Sequence, residues 1–403
     1  MSEAVVTGIG VAVPNGMGHE EFWAASLRGD SAIREVRRFD ASAYPARLAG
    51  EIGDFEPGAH LPGRLVPQTD RMTQLALVAA EWALADAGLE PGAYDSAEMG
   101  VSTAGSFGGF EFGQRELEKL WSHGPAHVSA YMSFAWFYAV NSGQISIRHD
   151  MRGPSGVLVG DQAGGLDAVA QARRNVRKGT PLVVSGGMES SLCPYGWTAR
   201  VSGGELSTGD DVHDAYRPFA AGARGHVPGE GGAMLVVEDG ERARARGARV
   251  YGRIAGCGAT FDPAPEREAE PGLRRAVEDA LADAGLEPSA VGVVFADGWG
   301  TVAADRTEAK AINGVFGPGA VPVTVPKTMT GRLNSGAGPV DLAWALLAMR
   351  DGVIPPTVNV PEAASEYGID LVTEPRHRNL DAALVLARGE GGFNSAMVLS
   401  CLT

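Results

Sequence analysis

Ala83-Leu-Ala-Asp-Ala-Gly-Leu-Glu-Pro91 occurs twice in this chain, the second time as Ala280 to Pro288, 197 residues further on. Each copy closes a stretch of helical periodicity, over 70–87 in the first half and 272–284 in the second. Each sets a glycine, Gly88 or Gly285, where a helix stop favours left-handed backbone. Each is followed by a short apolar run typical of a buried strand, Met99-Gly-Val-Ser102 and Val291-Gly-Val-Val-Phe295. A chance match is conceivable in Ala-rich helices, but the context repeats too, and a duplicated α/β unit accounts for that better.

Outward from the repeat, strands and helices alternate. Ala4–Gly8 reads as an opening strand. Gly156-Val-Leu-Val-Gly160 reads as a strand running into a helix at about 163–178, and Leu182-Val-Val-Ser185 as the next strand. Val321–Val325 is a strand expected before a Gly-rich turn and a helix near 339–350. Such alternation predicts a mostly parallel sheet with covering helices. The charged stretch at 239–250 marks a weak internal boundary, dividing the chain into halves 1–245 and 246–403.

The 403 residues carry enough apolar side chains, 44%, to build a large core without a metal or disulfide staple. A net charge of −15 with no Lys/Arg-rich block argues against nucleic-acid binding. Cys193, Cys257 and Cys401 are odd in number and far apart, with no CxxC and no Cys/His cluster. No zinc site or disulfide framework is expected, and a reducing compartment is. Cys193 and Cys257 read as small buried residues. The first ten residues lack a basic segment followed by an apolar one, and no run of 18 apolar residues occurs. A secretory leader and a membrane span are therefore not expected, and the cytoplasm is the expected location.

Nine aromatic side chains fall between residues 107 and 138, interleaved with Glu111, Arg115, Glu116, Glu118 and Lys119. The choice lies between ordinary core and an oligomer interface or ligand-lining segment. The interleaved charges favour the second.

Chemistry is expected at Val159-Gly-Asp-Gln-Ala-Gly-Gly165, where a strand turns sharply into a helix. Such an elbow presents one side chain at a helix N-terminus, where a thiolate would be activated. The presented residue is Gln162, whose carboxamide hydrogen-bonds but is no nucleophile. On this segment alone, a glutamine merely capping a turn is an equal reading.

The elbow resembles that of the β-ketoacyl synthases, where a cysteine stands in place of Gln162. Four further segments match in order. Tyr216-Arg-Pro-Phe219 with His226-Val-Pro-Gly-Glu-Gly-Gly232 is similar to R-P-F-D … G-F-V-x-G-E-G-A. Asp297-Gly-Trp-Gly-Thr301 stands where the family has H-G-T-G-T. Lys327-Thr-Met-Thr-Gly-Arg-Leu-Asn-Ser-Gly-Ala-Gly338 stands for K-S-x-x-G-H-x-x-G-A-A-G. Gly389-Glu-Gly-Gly-Phe-Asn394 resembles G-F-G-G-x-N.

The resemblance implies a thiolase-like fold, a duplicated α-β-α-β-α five-layer architecture. It also implies that the cysteine and both catalytic histidines are replaced, by Gln162, Asp297 and Arg332. A carboxylate at 297 would repel a substrate carboxylate, and a permanent cation at 332 cannot act as a neutral imidazole. Glu308 and Lys327 keep the family pattern, which implies a buried structural pair. His226 lies in a loop that abuts the family's active site; the other seven histidines fall in no motif and read as surface or interface residues.

Two branches of the family carry glutamine at the nucleophile position. The loading decarboxylase keeps both histidines; the chain length factor of type II aromatic polyketide synthases does not. Asp297 and Arg332 favour the latter. Gly109-Phe-Glu-Phe-Gly-Gln-Arg-Glu116, Ser133–Val140 and Lys327–Arg332 resemble segments of such factors. The resemblance then implies a non-catalytic partner of a ketosynthase alpha subunit, active in aromatic, antibiotic-like polyketide biosynthesis. It would shape a tunnel that sets chain length, with Phe110, Gly113, Leu117, Met132 and Phe134 as lining candidates. No cofactor of its own is expected; an acyl carrier protein would deliver acyl chains to the partner. A glutamine-type malonyl decarboxylase acting in chain initiation is the alternative.

Overall fold

A computed structural model describes residues 2–89, 92–264 and 270–402. Ten main strands fall into two sets of five. The first set is β1 (Ala4–Val13), β2 (Met99–Ala104), β3 (Ser155–Leu158), β4 (Leu182–Glu189) and β5 (Gly231–Asp239). The second is β6 (Gly252–Phe261), β7 (Val293–Phe295), β8 (Pro322–Thr324), β9 (Ala382–Gly389) and β10 (Phe393–Ser400). Spatial order is β3-β2-β4-β5-β1 in one half and β8-β7-β9-β10-β6 in the other, the same permutation shifted by five. The halves join where β1 meets β6 antiparallel, at Val5–Arg253 and Val6–Gly252.

The expected mostly parallel sheet needs correction. β2 pairs in parallel with β3 and β4, and β7 with β8 and β9, but β5 and β10 run antiparallel to both their neighbours. The reason is local at β10. Only Glu390, Gly391 and Gly392 separate it from β9, and a connection this short makes a hairpin. Gly391 and Gly392 supply the positive φ it requires, 85° and 89°.

Helices α1 (Arg71–Asp86), α2 (Phe110–His123), α3 (Asp161–Arg177), α4 (Leu273–Ala284), α5 (Val302–Phe316) and α6 (Ala337–Asp351) complete the frame. α3 and α6 pack on each other and on strands of both sheets, with Leu166, Val169, Val340 and Trp344 in the shared core. Every residue of α6 from Ala337 to Met349 is buried, as a helix sandwiched between two sheets must be. Each large apolar side chain so placed contributes roughly 1.5–3 kcal/mol. α1 covers the outer face of the first sheet and α4 that of the second, giving five layers.

The repeat has a structural cause. A Cβ on Gly8 would lie 2.1 Å from the Ala83 carbonyl oxygen, and one on Gly10 1.9 Å from that of Ala79. In the second half the same approach would put a Cβ on Gly256 2.0 Å from Ala280 O and one on Gly258 2.1 Å from Ala276 O. Between each glycine pair, a strand N–H donates to the aspartate of the repeat. Ile9 N reaches Asp86 Oδ2 at 2.8 Å, and Cys257 N reaches Asp283 Oδ2 at 3.0 Å. The alanines permit the approach and the aspartate satisfies the strand amide there. Cys257 is half-buried at this contact rather than buried as expected, whereas Cys193 is buried. Glu90 and Pro91, the end of the first copy, lie outside the described residues.

Candidate functional site

Gln162 is the second residue of α3, and the turn before it is strained. Asp161 adopts φ 48°, a left-handed conformation costly for most side chains. Its carboxylate is held on both sides, by Asn334 Nδ2 at 2.7 Å and Glu390 N at 3.3 Å. Gly165 lets the first turn press against the loop from the other half: a Cβ there would lie 2.5 Å from both Ser335 O and Pro339 Cδ. The elbow is therefore built as for a nucleophile, with a carboxamide in the nucleophile's place.

That carboxamide is committed. Gln162 Nε2 donates to Asp297 Oδ1, and Gln162 is 1% exposed. Asp297, just beyond the end of β7, is fully buried and salt-bridged through Oδ2 to Arg332 Nη1 at 2.9 Å. Arg332 Nη2 approaches Asp297 Oδ1 at 3.3 Å, and Arg388 N donates to the same oxygen at 3.0 Å. Burial alone would push the Asp297 carboxyl up; the charges of Arg332 and then Lys327 overrule it and hold Asp297 below the usual carboxylate range. Burial likewise opposes the Arg332 charge, but Asp297 outweighs it and raises the guanidinium further. Residues 297 and 332, read in sequence as two separate losses, are one buried ion pair. The expected repulsion of a substrate by Asp297 is thus corrected: its charge is already neutralised.

The Glu308–Lys327 pair also needs correction. Lys327 Nζ bonds Asp341 Oδ2 at 2.7 Å, not Glu308, and donates to the carbonyls of Ala296 and Asp297 at 2.9 and 3.2 Å. Asp341 is the acidic residue in the otherwise apolar interior of α6, so the lysine is recruited to that charge. Glu308 instead accepts from Asp297 N at 2.6 Å and Gly298 N at 2.9 Å, fixing the turn that carries Asp297. Burial and the Asp297 charge push the Glu308 carboxyl up to about 7.

Trp299 covers the cluster. The Arg332 guanidinium lies 4.4 Å from its ring centroid and that of Arg388 5.9 Å, both in cation–π range. Its indole N–H donates to Glu205 at 3.0 Å. His226 meets the same ring edge-on at 6.2 Å. Burial, with the charges of Arg332 and Arg200, holds its imidazole well below the ordinary range. Trp299, Glu205, Arg388 and the Gly389–Phe393 hairpin line a cleft of about 350 Å³ outside the cluster. Cys193 offers no substitute nucleophile: burial pushes its thiol up to about 11. Among the described residues no cluster of His, Cys, Asp or Glu could hold a metal, and no helix is long and apolar enough to cross a membrane.

The lining candidates sit on two packed elements. Phe110, Gly113 and Leu117 follow one another along α2, and Met132 and Phe134 lie on a short helix, Met132–Ala135, against it. The Phe110 ring stacks on Tyr195 at 4.9 Å and meets Phe107 edge-on at 5.2 Å. A Cβ on Gly113 would touch the Trp136 indole at 2.8 Å. Asp70, the N-cap of α1, also accepts from Phe112 N at 2.8 Å and so pins the start of α2. Of the nine aromatics, Trp121, Tyr131, Trp136, Phe137 and Tyr138 are exposed and only Phe112 is fully buried. That rules out ordinary core for most of the segment. Exposed aromatics this large in one segment mark an interaction surface.

The fold brings Gln162, Asp297, Arg332, Lys327 and Glu308 into one cluster, with Lys327 paired to Asp341 rather than Glu308, and adds Trp299, Asp341 and Arg388, which the sequence reading did not name. Trp299 was legible as the third residue of Asp297-Gly-Trp-Gly-Thr301, where the resembled motif has threonine. Asp341 was legible as an acidic residue inside an apolar helix.

A duplicated five-layer α/β fold, with a strained elbow where its halves meet, defines a thiolase-like condensing-enzyme scaffold. The chain belongs to the β-ketoacyl synthase family: residues 1–243 match its N-terminal domain and 251–361 its C-terminal domain. It is 60% identical over 398 residues to the tetracenomycin polyketide synthase ketoacyl synthase beta subunit of Streptomyces glaucescens, covering 98% of this chain and 97% of the relative. Among solved structures it is similar to the ishigamide ketosynthase/chain length factor, with TM-score 0.92 and 28% identity over all of both chains. It is also similar to one chain of the solved structure of a type II polyketide synthase acyl-carrier protein in complex with its ketosynthase bound to the hexaketide, with TM-score 0.90 and 25% identity over all of both chains.

Proposed function

We propose that this chain is the chain length factor of a type II polyketide synthase, a non-condensing subunit that pairs with a catalytic ketosynthase. The observation that carries the reading is the Gln162–Asp297–Arg332 lock. Condensation needs a thiolate to hold the acyl chain and neutral imidazoles to drive decarboxylation and bind the oxyanion. Here the donor of the elbow residue is spent on Asp297, and the cation of Arg332 is spent on the same carboxylate. The beta-subunit and chain length factor relatives support the same reading.

The exposed aromatic surface beside α2 is the face offered to the partner, and a tunnel from the partner's cysteine runs along it once the two chains pair. Phe110, Gly113, Leu117, Met132 and Phe134 then set how deep a growing chain can run. The acyl carrier protein serves the partner's site, and this chain supplies no cofactor. A decarboxylase using Gln162 is disfavoured by the geometry, because Gln162 Nε2 already donates to the ionised Asp297, which would face any enolate bound there. In a reconstituted pair, Leu117→Ala or Phe110→Ala should lengthen the product and Leu117→Trp should shorten it, read by mass spectrometry. Unchanged lengths in all three, with intact complexes, contradict the tunnel assignment.

A further inference from the structure

Glu189 at the end of β4 and Arg200, on the helix Pro194–Ser202, are both buried, at 0% and 9% exposure. They feel each other's charge, yet no ion pair joins them within 4.0 Å. Arg200 Nε donates to Ser191 Oγ at 2.8 Å, while its Nη2 is buried without a partner. Glu189 Oε1 is engaged by Ser335 Oγ and Ser106 N, and the Phe107 amide also stabilises the carboxylate, while its buried Oε2 has no partner within 3.5 Å. Ser106 Oγ is a third buried orphan in the same place. Buried polar atoms in folded proteins nearly always have a partner, so three orphans around two unjoined charges mark a place for an occupant with oxygen atoms.

The position says which occupant. The Arg200 guanidinium lies over the Phe107 ring at 5.0 Å, and Phe107 touches Phe110, the first lining candidate. On the other side, Ser335 ties Glu189 to the loop that packs on the elbow at Gly165. The orphans therefore lie between the aromatic stripe of α2 and the degenerate site.

We propose that Glu189, Arg200 and Ser106 form a polar seat for the oxygen atoms of a poly-β-keto chain; this rests on the tunnel reading above. A 1,3-dicarbonyl presents an oxygen on every second carbon. One accepts from Arg200 Nη2, and its neighbour, as enol or ketone, pairs with the Glu189 carboxyl in whichever protonation state suits it. Gripping two adjacent oxygens keeps the chain extended and withholds them from premature aldol closure.

The test uses the reconstituted ketosynthase complex fed malonyl-carrier protein, comparing wild type with Ser106→Ala, Arg200→Met and Glu189→Gln/Arg200→Met. Complex formation, carbon dioxide release and product-length distribution are measured together. Ser106→Ala removes one orphan hydroxyl and nothing that holds the fold, so it remains informative if the charge variants misfold. The expected result is an intact complex, carbon dioxide release within about twofold of wild type, and at least a threefold rise in the share of truncated or early-cyclised products. An unchanged product distribution in Ser106→Ala and in every variant that folds overturns the seat while leaving the tunnel reading standing. A wild-type chain that makes no complex and no product overturns the tunnel reading, and the seat with it.

Discussion

Arg332 Nη1 sits 2.9 Å from Asp297 Oδ2 in a place where Arg332 is 4% exposed and Asp297 not at all. Removing one partner of such a pair leaves the other charged and unpaired, at a cost of about 3–5 kcal/mol, whereas removing both often costs little. Arg332→Met should therefore lower stability by about that amount in denaturant titration. Asp297→Asn/Arg332→Met should lose clearly less than the sum of its single changes. Additive losses would mean the two side chains do not act as a pair. The same geometry predicts that Gln162→Cys alone restores no condensation. With Asp297 ionised alongside and no imidazole at position 297 or 332, a thiol there should resist iodoacetamide at pH 7 and hold no acyl group from an acylated carrier protein. The replaced residue types were legible in the sequence, because three motif positions carried the wrong side chains. That Asp297 and Arg332 cancel each other was not, because 35 positions separate them and only the fold sets their distance.

The nonapeptide repeat was the most legible structural element, and the structure explains why it is legible. Helix α1 lies so close on β1, and α4 on β6, that only glycine fits at four strand positions and only a short acid reaches the amide between them. Gly10→Ala and Gly258→Ala place a methyl inside a carbonyl contact and should each cost about 1–3 kcal/mol or more. Gly143→Ala, in the helix Val140–Arg148 with nothing within 4 Å of the new carbon, should be neutral or stabilising by up to about 1 kcal/mol. Thermal melts of the three variants check the contrast; equal shifts would remove close packing as the cause of the repeat. The antiparallel strands escaped the sequence reading for a related reason. Gly389–Asn394 was read as a motif, and its turn chemistry, two successive glycines at positive φ, went unread as a hairpin.

Across the whole molecule, buried carboxyls set an unusual response to pH. Burial pushes Asp70, Glu189 and Glu308 up to about 7, and Asp305 and Asp341 up to about 6. Unfolded, these groups titrate near roughly 4. Between about pH 4 and 7 these carboxyls therefore bind more protons folded than unfolded, and their contribution to stability falls as pH rises, levelling off above 7; the buried His149 and His226, held low, oppose them below about 6.5. Asp297 and Glu230 are held low instead; their stabilisation is present above the unfolded value and lost as pH falls below it. The melting temperature should be higher at pH 5.5 than at pH 8, and the reverse order would contradict these burial shifts. Architecture at this scale was legible from the resemblance. The exposed aromatic surface was legible only as a run of aromatics, since exposure depends on which way α2 and its neighbours turn.

The most direct measurement of the central claim is to purify this chain alone, a ketosynthase alpha subunit alone, and the two co-expressed, and to supply each with malonyl-carrier protein. The account predicts a 1:1 complex by size-exclusion chromatography, long polyketides only from the pair, and neither acyl labelling nor decarboxylation by this chain alone. Acetyl-carrier protein formed by the isolated chain, with no complex on co-expression, would contradict it and make Gln162 a catalytic residue.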